Sequence, residues 1–234
     1  MSESTPKKKK RVKKRLPKKI IPIKNPDKAF HEKWRPGRDP LNIPHPFRAV
    51  LLGKPNSGKT TVMKNILIRA MPEFQEILIV HCDPEDTQEF DDVDGEMVDH
   101  IPSPDELDPD VKRLVILEDL EYGAMPKDEK AALDRLYGYA STHKNTSVML
   151  TAQDGFSIPA ICRRCCNLWV IWRIDDSDSL KAIGRRVGMK SKDFEQIFND
   201  FMKEPKDSLW VDMSDHSPFP LRINGYQMLR SSVE

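Results

Sequence analysis

The chain has 234 residues, 38% of them hydrophobic, enough for one sizeable core, and a formal charge of only +1. That near-neutrality hides segregation, because residues 6–19, PKKKKRVKKRLPKK, hold ten Lys/Arg and no acid, so the rest of the chain is net acidic. No stretch approaches the roughly 20 apolar residues of a membrane span, the basic N-terminus lacks the apolar run of a secretory signal, and four cysteines are too few for a disulfide framework, so a membrane or secreted protein is not expected.

Residues 1–46 contain eight prolines and most of the surplus positive charge, with no sustained period of 2 or 3.6. They are expected to form a disordered basic arm. Its PKKKKRV looks like a monopartite nuclear import signal, and a flexible polycation also suits phosphate backbones without reading sequence. From Phe47 onward, FRAVLLG, EILIVHC, VKRLVILEDL, TSVMLTAQ and NLWVIWR alternate with longer mixed segments. Alternating strands and helices predict one α/β domain over 47–234, a mainly parallel sheet covered by helices on both faces. Two short helices are predicted over 176–204, with DSLWVDM and PLRIN as a closing strand pair.

The first of these strands runs into Gly53, Lys54, Pro55, Asn56, Ser57, Gly58, Lys59, Thr60 and Thr61. Residues 53–60 satisfy G-x-x-x-x-G-K-[ST] in full, after a strand and opening a helix, where this motif must sit. The glycines bring backbone N–H groups close to phosphate oxygens, Lys59 is placed for the β and γ phosphates, and the Thr60 hydroxyl is placed for Mg²⁺. After the second strand, residues 83–110 hold thirteen Asp/Glu and no Lys or Arg. A solvated acidic excursion is the expectation, with a metal site or a docking site for the basic arm as alternatives.

LVILEDLE then carries Glu118 and Asp119 at the carboxyl end of a strand, the edge where open parallel sheets bind ligands. One carboxylate can serve the Mg²⁺ shell while the other orients a water, which favours hydrolysis over transfer to a specific acceptor. Gln153 ends the strand of SVMLTAQD and is a candidate contact for the γ-phosphate or the water. No guanine-reading N-K-x-D follows. The CRRCC of 162–166 invites a zinc reading, but Cys82 and the histidines lack matching spacing, so an apolar helix face is expected instead.

Gly53–Thr60, LVILED, LTAQD and IPAICRRCCN together resemble the ordered motifs of the FtsK/HerA superfamily of P-loop translocases, most closely the short genome-packaging ATPases of poxvirus type and of related large DNA viruses, adenovirus-like elements and membrane-containing phages. The resemblance covers roughly residues 47–225. It implies a RecA-like core, a homo-oligomeric ring, and ATP- and Mg²⁺-dependent movement of double-stranded DNA. Lys59 and Thr60 inherit the phosphate and metal roles, Gln153 looks like the polar sensor, and Arg163 or Arg164 looks like the arginine supplied to a neighbouring subunit's nucleotide. The family usually reads Asp-Glu where this chain has Glu118 and Asp119, which leaves their division of labour open, with Asp119 favoured for the water. The expected function is packaging of viral DNA. Expected partners are DNA, further copies of the chain, capsid or packaging proteins and an import receptor; the expected places are the host nucleus and the virion. The alternatives are a non-motor DNA-associated protein switched by ATP, or a small nucleotide kinase, disfavoured because no acceptor-binding pattern or lid is visible.

Overall fold

Arg48–Leu52 (β1) reads Arg-Ala-Val-Leu-Leu, and its last four residues are fully buried. A strand with no polar alternation needs cover on both faces, as in the middle of a parallel sheet. That is where β1 lies in the computed structural model, which describes residues 41, 43–81, 83, 88–174, 176–214, 217 and 220–229. The other strands are β2 (Glu76–His81), β3 (Glu96–Val98), β4 (Arg113–Glu118), β5 (Thr146–Ala152), β6 (Leu168–Ile171), β7 (Leu209–Asp212), β8 (Leu221–Ile223) and β9 (Gln227–Met228). Among the described residues they form one sheet in the order β3-β2-β4-β5-β1-β6-β7-β8-β9. Pairing is parallel from β3 to β6 and antiparallel from there to β9.

The helices are α1 (Lys59–Arg69), α2 (Lys127–Arg135), α3 (Ala160–Cys165), α4 (Ser177–Arg186) and α5 (Ser191–Phe201). A π-helical turn, Leu136–Ala140, continues α2 towards Ser141–His143. Alternating strand residues divide between two cores. Ala49, Leu51, Ile79, Ile116, Met149 and Val170 share one with Met63 and Ile66 of α1. Val50, Leu52, Val115, Leu117, Leu150 and Ile171 share the other with Leu133 of α2, Cys162 of α3, Leu180 and Ile183 of α4, and Phe194 and Phe198 of α5. Each such Val, Leu, Ile, Phe or Met side chain contributes about 1.5–3 kcal/mol on burial, so helices on both faces are what the strands' composition requires. The mainly parallel α/β architecture is the one expected.

Two boundaries differ from the sequence reading. The expected arm spans 1–46, yet Ile43 is 2% exposed, and His45 bridges Asn145 Oδ1 at 2.8 Å and the Ser147 hydroxyl at 2.9 Å. Proline spacing masked these few anchoring residues; the Leu41 carbonyl already accepts a bond from Arg222. Residues 1–40, with the basic run and PKKKKRV, lie outside the described residues, as does Cys82. The acidic stretch departs from a simple solvated excursion as well. Its described carboxylates do face solvent, but Phe90, Ile101 and Leu107 are buried and Glu96–Val98 pairs with β2 as the sheet's edge. Charge density concealed apolar residues spaced too widely to announce an element.

Close helix packing gives a test. A Cβ on Gly184 of α4 would stand 2.9 Å from the Phe194 Cβ of α5. Alanine would gain about 1 kcal/mol of helix propensity but overpack a core contact at a cost of about 1–3 kcal/mol. Gly184→Ala should therefore lose about 1 kcal/mol in a urea titration with the m-value unchanged. A net gain would show that the two helices separate without cost.

Candidate active site

The parallel register sets the site's position. Leu52 is opposite Ala152 and Ile171, and Leu117 is opposite Leu150, so the strands carrying the motifs end along one edge. There the chain leaves β1 into a loop that needs glycine twice. A Cβ at Gly53 would lie 2.6 Å from the Ser57 hydroxyl and 3.0 Å from the Trp172 Cβ, and Gly58 caps α1 at φ 108°, in left-handed territory. Trp172, whose backbone N–H donates to the Leu52 carbonyl at 2.9 Å, walls the loop from just past the end of β6. Lys59 is 8% exposed and its ammonium donates to the carbonyls of Gly53 (2.9 Å) and Lys54 (3.2 Å), which fixes it across the mouth of its own loop.

A cavity of about 360 Å³ opens above this loop, within the usual size range for a small ligand. Pro55, Asn56, Gly58, Lys59, Thr60 and Thr61 line one part of it, and Glu118, Asp119 and Gln153 another. Gly53, Lys54 and Ser57 shape the loop rather than this lining. The order β4-β5-β1 explains the arrangement, because β5 places Gln153 between the loop and the two acids. Arg163 and Arg164 are not brought here. They line a separate groove of about 520 Å³ with Tyr122, Met125 and Phe156, and Arg163 donates to the Gly155 carbonyl at 3.3 Å.

The adjacent acids occupy different environments. Asp119 adopts φ 48° and its N–H donates to the Thr151 hydroxyl at 3.2 Å, so the chain turns as the strand ends. Glu118 is left 3% exposed while Asp119 faces solvent. Burial, then the charges of Asp119 and Glu89, pushes the Glu118 carboxyl up to about 7, against smaller opposing effects of His81 and Lys59. Glu118 Oε2 and the Ser57 hydroxyl are both buried without a hydrogen-bond partner among the described residues. The Thr60 hydroxyl donates to Glu89 Oε2 at 3.1 Å. Thr60, Glu89, Glu118 and Asp119 line one cavity and offer only oxygen, the hard-donor set that suits Mg²⁺, so these residues fit the ion.

Three lining or supporting residues escape sequence reasoning. Glu89 is one acid in a crowded run, Lys206 lies outside every motif, and Trp172 reads as one more apolar residue of a strand. Only the strand-end position of Trp172 offered a signal. Cys162 and Cys166 are core groups, at 0% and 3% exposure, and Cys165 is partly buried against the same core. Burial pushes the Cys162 and Cys166 thiols up, Cys166 to about 12, which suits apolar packing rather than metal binding.

Glu118 makes the site's electrostatics measurable. A carboxyl whose folded pKa is raised costs no stability below its ordinary value of 4.5; the cost grows as pH rises and is complete above about 7. In protein free of nucleotide and divalent cation, Glu118→Gln should match the parent near pH 4.5 and exceed it above pH 7 by up to about 3 kcal/mol, as followed by chemical denaturation. Parallel stability–pH curves for the two proteins would mean that Glu118 is solvated.

No protein-family model matches the chain, and no curated protein matches it in sequence. Solved structures match its shape. The genome packaging NTPase B204 from Sulfolobus turreted icosahedral virus 2, in complex with ATP-gammaS, is 15% identical with a TM-score of 0.54, over 76% of this chain and 96% of that one. The DNA-packaging ATPase B204 from Sulfolobus Turreted Icosahedral Virus is 14% identical with a TM-score of 0.54, over 75% and 95%. The cytoplasmic domain of the Thermomonospora curvata type VII secretion ATPase EccC is 10% identical with a TM-score of 0.52, over 85% of this chain and 29% of that one. At these identities the shared property is the fold, and this chain has the P-loop ATPase fold seen in the B204 packaging enzymes.

Proposed function

We propose that the chain is an ATP-hydrolysing DNA translocase that works as a homo-oligomeric ring and packages viral double-stranded DNA. The observation that carries this reading is the meeting of the P-loop, Glu118, Asp119 and Gln153 around one cavity at the carboxyl edge of the sheet. In that cavity the loop's backbone N–H groups and Lys59 hold the phosphates. Thr60 with Glu118 would hold Mg²⁺, which when bound would neutralise phosphate charge. Asp119 and Gln153 orient the attacking water. Arg163 and Arg164 line a groove apart from the cavity, which supports their use on a neighbouring subunit's nucleotide, where a guanidinium finger contributes about 10³–10⁵ in rate. The basic arm serves DNA phosphates and an import receptor, consistent with a nuclear site of action. No helix among the described residues is long and apolar enough to cross a membrane.

Turnover of ATP with and without duplex DNA, beside a mass measurement of the assembly, tests the motor reading. DNA should stimulate hydrolysis by a multimer; turnover indifferent to DNA would favour the non-motor switch. Lys59→Ala should abolish turnover and keep the fold, since it removes charge from the loop and leaves the apolar cores intact. Asp119→Asn should trap bound ATP, whereas Glu118→Gln should weaken nucleotide binding; the opposite pattern reverses the assignment. Mixing Lys59→Ala subunits with Arg163→Ala, Arg164→Ala subunits should restore part of the activity, because some interfaces then join an intact loop to an intact finger. Co-assembly without rescue would exclude a finger supplied in trans.

A further inference from the structure

We infer that Lys206 is a second cation for the phosphate tail of the bound nucleotide, supplied by the same subunit as the P-loop; this rests on the nucleotide reading of the cavity proposed above. Lys206 lines that cavity from the connection between α5 and β7, remote in sequence from every motif. Among the described residues it makes no hydrogen bond or ion pair, although Glu89, Glu118 and Asp119 line the same space. An unpaired ammonium in a cavity of this kind is available to a ligand.

Its base is built. The Asp207 N–H donates to the Glu204 carbonyl at 3.1 Å, closing a four-residue turn with Pro205 and Lys206 at its centre. Proline in the first central position holds φ near the value that such turns require. Asp207 Oδ2 accepts from the N–H groups of Lys203 (3.0 Å) and Glu204 (2.7 Å), and its Oδ1 accepts from Asn224 Nδ2 at 2.9 Å. Asn224, at φ 54°, in turn accepts the Ser208 N–H at 2.8 Å on its Oδ1. These bonds fasten the turn to the connection between β8 and β9, so Lys206 is a long side chain on a fixed stalk.

Charge explains why the cavity needs it. Its lining carries three carboxylates, Glu89, Glu118 and Asp119, against Lys59, and Lys59 already spends two donors on the Gly53 and Lys54 carbonyls. A polyphosphate entering such a lining meets repulsion that one lysine and Mg²⁺ must offset, and a second ammonium lowers it directly. Lysine serves as a point charge for phosphate and does not require the planar fork of arginine. Asp207 is then a positioning residue that acts through Lys206.

The test is equilibrium binding, in Mg²⁺, of a non-hydrolysable ATP analogue and of inorganic tripolyphosphate to the full chain. Lys206→Ala should weaken both by about ten-fold or more, the usual loss for a charge-assisted bond, and Lys206→Arg should retain most of the affinity. Asp207→Ala should weaken both as well, and adding it to Lys206→Ala should cost nothing further, a coupling that general loosening of the fold would not produce. Lys59→Ala is the control for the site itself. If Lys59→Ala abolishes binding while Lys206→Ala leaves it unchanged, or weakens the ATP analogue but not tripolyphosphate, the inference fails and the nucleotide reading stands. If Lys59→Ala leaves both probes bound as in the parent, the nucleotide reading itself is overturned.

Discussion

The parallel pairing of β1 between β5 and β6 is the constraint on which the rest depends. Parallel strands buried on both faces must be apolar along their length, which leaves their ends as the only places for polar chemistry. Here the carboxyl ends of β1, β4 and β5 come into line, and three separate stretches of sequence deliver their polar residues to one edge. The P-loop backbone then turns back above that edge because Gly53 and Gly58 permit a path that a side chain would block or strain. Disturbing the register would scatter residues that are distant in sequence, so core packing and site geometry are one property of this fold.

Within the cavity, charge is arranged by depth. Glu118 is buried and raised towards neutrality, while Asp119, one residue on, faces solvent after a left-handed backbone step. Two adjacent carboxyl groups are thereby given different surroundings, one buried and one in solvent, which is the condition for separate roles. Lys59 and Lys206 reach the same space from opposite ends of the domain's sequence, one in the P-loop and one on a braced turn. The ionic balance of the site is consequently a tertiary property, set by segments whose local sequences carry no common pattern.

The acidic stretch has a structural part as well as a surface one. Phe90 enters the core that α1 shares, Asp92 pairs with Lys64 of α1, and Glu89 bonds Thr60 at that helix's first turn. The exposed Lys64–Asp92 pair contributes little by itself, since such contacts are screened and cost side-chain entropy. Burial of Phe90 is what anchors the segment. With that anchor in place, an acid of the stretch stands at the cavity above the loop without any motif having marked it.

The sequence by itself determined the class of the domain and most of the residues that line its candidate site. Apolar runs of strand length, alternation with helices, and the spacing from Gly53 to Thr60 are local properties, and each was legible because backbone geometry imposes it residue by residue. Glu118, Asp119 and Gln153 were legible for a related reason: a polar residue that ends a buried strand must lie at the sheet's edge. Tertiary structure alone decided which edge segments meet. It brought Glu89, Lys206 and Trp172 to the loop, buried Ile43 ahead of β1, and carried Arg163 and Arg164 into a different groove. None of these follows from composition or period, because contacts between residues far apart along the chain are selected by the packing of the whole sheet and its helices and leave no regular trace in any one segment.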